Sequence, residues 1–198
     1  MEESIKEEAI MKEYTISIDI GVKNFAYALG TKLKDKKEVV YPKDSPPFNP
    51  YMDIITFDVV DFRERSTPMD IMREISILFK ELFEKYNIKS EKCLIYIERQ
   101  VPQNTKAFGI MYGLIGLFRG FGFYNMIVYD PKKKFPNIEY DSKSKEHKKI
   151  SVEWANSYLK ANSQVELYDK FTKYTKKDDI SDCINMILIK WQIFVIHK

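Results

Sequence analysis

Residues Ser17–Asn24, SIDIGVKN, place one acidic side chain inside an apolar run and follow it with a glycine. They continue a segment in which three isoleucines alternate with polar residues, a pattern typical of a β-strand with one buried face. Gly21 interrupts the run and NFAYAL resumes it, so we expect a β-hairpin. Asp19, near the end of the first strand, has three interpretations: a turn residue, part of a phosphate-binding loop, or a metal ligand.

The length and composition are those of one folded domain. The chain has 198 residues, of which 44% are hydrophobic, and its net charge of +3 neither requires nor excludes nucleic acid. We expect residues 1–13 to be a flexible or helical lead-in, since they lack the apolar core of a secretion signal, and 14–198 to form a single domain with a loop insert near 31–50. No apolar run approaches the roughly 20 residues of a membrane-spanning helix. Cys93 and Cys183 lie in apolar runs and are interpreted as buried free thiols of an intracellular, reducing compartment.

The remaining periodicity predicts an α/β fold with a mixed sheet. Further strands are expected in YMDIITFDVVDF, CLIYIE and NMIVYD. Helices are expected in TPMDIMREISILFKELFEKY, NTKAFGIMYGLIGLFRGFG, ISVEWANSYLKAN and DDISDCINMILIKWQIFVIH. The first helix is clearly delimited, because Thr67 can cap it, Pro68 suits its first turn and Asp70 completes a capping box.

Acidic residues end or begin several of these apolar elements. Asp19 ends the first strand, Glu98 ends CLIYIE, and Asp179 and Asp182 open the last helix three residues apart, hence on one side of it. Neighbouring strands can bring the first two together, and a helix packed across that end of the sheet would complete a cluster of four carboxylates. Such a cluster needs a counter-charge, for which Mg²⁺ and Mn²⁺ are suitable ions. Two of these ions roughly 4 Å apart can activate water for phosphodiester hydrolysis.

Each acidic position also has a simpler explanation when taken alone. Asp19 can be a turn residue, Glu98 can pair with Arg99, and the acidic residues at 178, 179 and 182 can cap the last helix and favour its dipole. His147 and His197 are the only histidines, and no His and Cys set has zinc spacing. The four positions together favour metal binding over these separate explanations.

In order along the chain, these motifs resemble a known family. ISIDIGVKNFAYAL, LIYIERQ, a lysine-rich stretch before a helix, and KKDDISDCINMIL are similar to the motifs of RuvC-type Holliday junction resolvases, above all their poxvirus branch. The resemblance runs from about Tyr14 to Trp191. It implies an RNase H-like fold, with a mixed five-stranded sheet flanked by helices. The insert after the second strand is longer than the family pattern, and its role is open.

The resemblance also implies a catalytic site. The four carboxylates would bind two Mg²⁺ ions, for which Mn²⁺ can substitute. The poxvirus branch adds a lysine shortly before its penultimate helix, and Lys149 matches it best, with Lys145 and Lys148 close by. This lysine would stabilise charge in the transition state. Asp178, next to Asp179, leaves the first position of the D-x-x-D motif open to reassignment.

The implied activity is cleavage of four-way (Holliday) junctions and other branched or concatemeric DNA, leaving 5′-phosphate and 3′-hydroxyl ends. Paired cuts in a four-way junction imply a homodimer. We expect its interface on the glycine-rich helix from Asn104 to Gly122, and the alternative is that this helix is buried against the sheet. If the chain is viral, it would act at the cytoplasmic replication site of the infected cell.

Basic runs lie beside the predicted site. PKKKF and KSKEHKK separate the fifth strand from the next helix, and KLKDKK lies in the insert. Such runs are usually solvated loops, but next to a carboxylate–metal site they predict salt-sensitive phosphate contacts. The lysines expected to contact DNA are Lys132, Lys133, Lys134, Lys143, Lys145 and Lys148.

Three other functions stay open. Actin-like sugar kinases and ATPases also begin with a strand that ends in D-x-G, but 198 residues leave no room for their second domain. A nuclease of the same fold can act instead on flaps, forks or RNA–DNA hybrids, since carboxylate geometry does not encode the substrate. The third is a DNA-binding protein that has lost catalysis, although all four acidic positions are filled.

Overall fold

The computed structural model of the chain describes residues 13–21, 23–39, 45, 48–64, 67–130, 145–162 and 165–189. The division into a lead-in and a single domain stays a prediction, because residues 1–12 lie outside the described residues. The side chain of Lys145 also lies outside them, and so do four lysines that were expected to contact DNA: Lys132, Lys133, Lys134 and Lys143.

Five strands form one mixed sheet in the described part of the chain. They are β1 (Tyr14–Asp19), β2 (Phe25–Lys32), β3 (Met52–Val60), β4 (Cys93–Glu98) and β5 (Met126–Tyr129). Their order across the sheet is β3-β2-β1-β4-β5. β2 is antiparallel to both β1 and β3, whereas β4 is parallel to both β1 and β5. The predicted hairpin and the mixed sheet are therefore confirmed.

Helices cover both faces of this sheet. The described residues contain α1 (Pro68–Lys85), α2 (Thr105–Gly120), α3 (Lys145–Ala161), α4 (Val165–Lys173) and α5 (Asp178–Leu188). One hydrophobic layer packs α1 and α2 against the sheet, and a second packs α3, α4 and α5 against the opposite face. None of the described helices is both long enough and apolar enough to cross a membrane.

Several sequence predictions are confirmed in detail. The capping box of α1 is present, since the Asp70 backbone N–H donates to Thr67 Oγ1 at 3.1 Å and the Thr67 N–H donates to Asp70 Oδ2 at 3.1 Å. Cys93 and Cys183 are both buried free thiols. Both features were predictable because they depend on residues close together in the sequence.

The last two helices differ from the prediction. α5 was expected to continue to His197, but it ends at Leu188 because Ile189 adopts an extended backbone and forms a β-bridge with Phe48. α4 was not predicted, since its sequence VELYDKFTK is short and mostly polar and only Phe171 is fully buried. Helix α3 begins at Lys145, earlier than the sequence indicated.

The described part of the insert packs against the ends of α3 and α5. The buried Phe48 ring meets Tyr158 of α3 edge-on, with 5.3 Å between ring centroids. The Asn49 N–H donates to the Leu188 carbonyl oxygen at 2.5 Å. On β3, Asp53 accepts hydrogen bonds from Lys37 Nζ at 3.1 Å and from the Tyr158 hydroxyl at 3.2 Å. The insert therefore completes the hydrophobic layer on the α5 side of the sheet.

Gly30 allows α5 to lie close to the sheet. A Cβ atom at this position would be 2.6 Å from Cγ2 of Ile187 and 2.9 Å from the backbone oxygen of Asp53. Both distances are shorter than normal van der Waals contacts, and the second involves backbone that cannot move aside easily. A side chain at residue 30 would therefore separate α5 from β2.

We expect Gly30→Ala to lower the free energy of unfolding by about 1–3 kcal/mol through overpacking. Gly120→Ala is the matched control, because a Cβ at this exposed last residue of α2 meets no atom of the described residues within 4 Å. The control is expected to raise the free energy of unfolding by about 0.5–1 kcal/mol, as Gly→Ala does within helices. Urea unfolding followed by circular dichroism measures both, and equal effects would contradict the close approach of α5.

Candidate functional site

The first strand places Asp19 on the sheet face that α5 covers. Ile16 and Ile18 are fully buried in the layer shared with α1 and α2, so strand alternation puts Ser17 and Asp19 on the other face. Ser17 bears this out, because its Oγ donates to the carbonyl oxygen of Cys183 in α5 at 2.7 Å. Asp19 itself is half-buried and is the last residue of β1.

Glu98 has the matching position on the neighbouring strand. β4 is parallel to β1, and Ile97 pairs with Ile18, so Asp19 and Glu98 lie where the two adjacent strands end. Ile97 faces the α1 and α2 layer, which puts Glu98 on the α5 side. Gln100 Nε2 donates to Glu98 Oε2 at 3.4 Å. The sequence prediction that these two strand-end carboxylates are neighbours in the sheet is confirmed.

Helix α5 runs along β1 in the opposite direction. Its last turn places Ile187 against Gly30, which pairs with Thr15 near the start of β1. One helical turn earlier, Cys183 lies against Ser17. The N-terminus of α5 is therefore directed toward the carboxyl end of β1.

This direction brings the acidic start of α5 toward the strand-end carboxylates. Asp179 and Asp182 lie on one side of the helix, and both are half-buried. The N-cap residue Lys177 makes no side-chain capping bond, and neither acidic residue occupies the cap position. We use the term acidic end for this end of the sheet with its four carboxylates: Asp19, Glu98, Asp179 and Asp182.

Lysines from two segments contact the acidic residues of α5. Lys148 Nζ lies 2.6 Å from Asp178 Oδ2, and this bond raises the pKa of Lys148, with smaller contributions from Asp179 and Asp182. Burial alone would raise the pKa of Asp178, but Lys148 and Lys176 together lower it below its usual value. Lys176 also pairs with Asp179. Burial nevertheless raises the pKa of Asp179, and the charge of Asp178 adds to the effect.

Two of the three lysines considered from the sequence, Lys148 and Lys149, have described side chains, and their surroundings differ. Lys148 contacts the acidic start of α5, whereas the Lys149 side chain is 78% exposed and its Nζ lies 4.0 Å from Glu153 Oε1, one turn further along α3. Lys145 is the first residue of α3. The structure therefore places Lys148, and not Lys149, in contact with Asp178 at the start of α5.

The donor chemistry of the acidic end suits a hard divalent cation, because all four side chains offer carboxylate oxygens. Within the described ranges, however, no three His, Cys, Asp or Glu side chains converge closely enough to hold a metal ion. The ligand role of these residues, and the number of ions bound, stay predictions.

Two residues at this site were not found from the sequence. Ser151 Oγ donates to Asp182 Oδ1 at 2.6 Å, and Asn185 Nδ2 contacts both the Oγ and the carbonyl oxygen of Ser151. The available signal was weak: Asn185 is a polar residue inside the apolar run CINMILI. Nothing in the sequence indicates that α3 supplies its partner.

The strand order and the two helical layers define an RNase H-like fold, as the sequence motifs predicted. No protein-family model matches the sequence, and no curated protein is significantly similar to it. The chain is similar in structure to the fowlpox virus Holliday junction resolvase, with a TM-score of 0.53 and 22% identity over 87% of this chain and 92% of that one.

Two structures of a bacterial protein are also similar to it. For Thermus thermophilus RuvC the TM-score is 0.52 and the identity 11%, over 88% of this chain and 90% of that one. For T. thermophilus RuvC in complex with Holliday junction substrate the values are 0.53 and 12%, over 87% and 92%. At these identities the comparisons establish the fold that the chain shares with RuvC-like resolvases.

Proposed function

We propose that the protein is a metal-dependent endonuclease that cuts four-way and other branched DNA. The observation that carries this proposal is the acidic end, where two neighbouring strands and one helix of an RNase H-like fold contribute carboxylates. The similarity to solved Holliday junction resolvases supports a nuclease of that kind.

In this proposal the ligands come from two rigid elements. Asp19 and Glu98 bind from the sheet, and Asp179 and Asp182 bind from α5. Bound Mg²⁺ or Mn²⁺ would supply an activated water and charge stabilisation for phosphodiester hydrolysis, with 5′-phosphate and 3′-hydroxyl products. The sheet fixes the positions of Asp19 and Glu98. The geometry of the whole ligand set therefore depends on how α5 is held against the sheet.

We assign the lysine role to Lys148 in place of Lys149. Lys148 carries its charge beside the acidic start of α5, where it can neutralise a scissile phosphate, whereas Lys149 pairs with Glu153 on the outward side of α3. A positive charge acts on a phosphate only at short range in the presence of salt. For choosing the catalytic lysine, contact with the acidic start of α5 is therefore a stronger criterion than the alignment of the lysines with the family motif.

We also propose a homodimer, because paired cuts in a four-way junction need two sites related by two-fold symmetry. The outward face of α2 supports this: among the described residues, no atom lies within 4 Å of a Cβ at Gly109 or Gly116, and Tyr112 is 59% exposed. The opposite side of α2, including the fully buried Leu114 and Phe118, packs on the sheet. One side of α2 is therefore buried against the sheet, and the other side is exposed and can contact a second protomer.

Cleavage of matched synthetic substrates tests the proposed function. We expect a four-way junction to be cut in preference to a linear duplex, a flap and an RNA–DNA hybrid of the same sequence, and only when Mg²⁺ or Mn²⁺ is present. Equal cutting of all substrates would contradict junction selectivity and leave a nuclease of broader range. Junction cutting that persists in chelator, or in the Asp182→Asn variant, would refute the metal site.

A further inference from the structure

We infer that Ser151 and Asn185 form a hydrogen-bonded chain that positions the Asp182 carboxylate for metal binding. This role rests on the proposed function. Ser151 Oγ lies 2.6 Å from Asp182 Oδ1, and Asn185 Nδ2 lies 3.0 Å from the same Oγ. Asn185 is on α5, one turn after Asp182, while Ser151 comes from α3. The hydrogen-bonded chain therefore links the proposed ligand Asp182 on α5 to the neighbouring helix α3.

The chemistry of the three groups fixes the direction of each hydrogen bond. An ionised carboxylate only accepts, and the amide nitrogen of Asn185 only donates, so the Ser151 hydroxyl must donate to Asp182 and accept from Asn185. Asn185 Nδ2 also donates to the carbonyl oxygen of Ser151 at 2.9 Å. The reversed amide would place two oxygens against each other, so the amide orientation is determined as well. The hydroxyl hydrogen is thereby aimed at Asp182.

The burial of Ser151 and Asn185 argues against a role in helix packing alone. Ser151 is 1% and Asn185 5% exposed, between helices whose other contacts are mainly apolar. Two hydrophobic side chains would fill this space without the cost of burying polar groups. Asn185 Oδ1 is buried and finds no hydrogen-bond partner within the described part of the chain, so the pair is not fully satisfied even where it stands. The orientation of Asp182 explains why this polar pair, and not two hydrophobic side chains, occupies the buried position.

A Mn²⁺ titration of the DNA-free protein tests this role by calorimetry. We expect Ser151→Ala to weaken Mn²⁺ binding by about 10–100-fold, the usual effect of losing a group that orients a metal ligand. The same variant should lower kcat for junction cutting to a similar extent while leaving KM unchanged. Ser151→Thr keeps the hydroxyl and should restore most of the affinity, which a role in packing alone does not predict.

Ser181→Ala is the matched control. Ser181 is a fully buried serine on α5 whose hydroxyl donates to the Lys177 carbonyl oxygen at 2.7 Å and, among the described residues, to no carboxylate. Its loss should leave the Mn²⁺ affinity at the wild-type value. If Ser151→Ala fails to fold, Asn185→Leu replaces it as the test, because it removes the amide donors at similar volume and should also weaken Mn²⁺ binding. Where both variants fold, the double variant should bind Mn²⁺ no more weakly than Ser151→Ala alone, since one break already disconnects the hydrogen-bonded chain.

Each outcome separates this inference from the proposed function. Equal Mn²⁺ affinity for Ser151→Ala and Ser181→Ala, with junction cutting intact, would overturn the positioning role and leave the nuclease. A protein that cuts no junction but loses Mn²⁺ affinity in Ser151→Ala would keep the positioning role and overturn the function. Absence of any Mn²⁺ binding that depends on Asp182 would overturn the positioning role.

Discussion

Asp19→Asn is expected to slow junction cutting by at least about 10²–10³-fold, which corresponds to about 2.7–4 kcal/mol of lost transition-state stabilisation. The substitution keeps the shape of the side chain and removes its charge, which is the contribution of β1 to the proposed metal site. The fold should be unaffected, because Asp19 is half-buried at the end of its strand and the core contacts of β1 come from Ile16 and Ile18. Single-turnover cleavage in Mg²⁺ measures the loss.

Asp61→Asn is the control for this change. Asp61 follows β3, whose Val60 pairs with Phe25, so it lies at the same end of the sheet as Asp19. It is exposed and pairs with Arg63. We expect this variant to cut at nearly the wild-type rate, and both variants to bind a junction normally in Ca²⁺. Loss of junction binding by Asp19→Asn, or cutting as fast as Asp61→Asn, would contradict the role of Asp19.

Lys148→Met is expected to lower the cutting rate by about 10²-fold, and Lys149→Met to change it little. Methionine keeps the apolar stem and removes the charge, so packing along α3 is preserved in both variants. The difference follows from the partners, since Lys148 Nζ lies 2.6 Å from Asp178 Oδ2 at the start of α5, whereas Lys149 Nζ lies 4.0 Å from Glu153 Oε1. Both side chains are largely exposed, at 63% and 78%. Single-turnover rates at saturating protein separate a slower reaction from weaker DNA binding.

The opposite order of effects would restore Lys149 as the catalytic lysine. Lys148→Arg distinguishes two explanations of a loss at residue 148, because it keeps the charge and the pairing with Asp178 but changes the shape of the donor. Partial recovery in Lys148→Arg would show that charge is the main requirement. No recovery would indicate that the compact ammonium group is needed.

Local patterns predicted most of the fold. Alternation in YTISID identified β1 and its two faces, and the capping box at Thr67 fixed the start of α1. The end of α5 could not be found in this way, because the apolar run continues past Leu188 and suits a helix or a strand equally. The helix ends where Ile189 bridges to Phe48, a contact between distant parts of the chain.

The site was predictable to the extent that its residues lie at the ends of elements. A carboxylate that ends an apolar strand is visible in the sequence, and parallel strands bring such ends together. Which lysine contacts the start of α5 was not predictable, because consecutive residues on a helix point about 100° apart, so the phase of α3 decides between Lys148 and Lys149. The Ser151–Asn185 pair depends on the packing of two helices, which no local pattern encodes.

The attachment of α5 has a consequence for how the site can evolve. The insert holds the C-terminal end of this helix through Asn49, and Ser17 holds its middle, while Lys148 and Ser151 of α3 contact the acidic residues at its N-terminal end. A change in the length or packing of the insert therefore alters the tilt of α5, and with it the gap between the helix and sheet carboxylates. In the proposed metal site, such a change would shift the metal preference without replacing any of the four carboxylates.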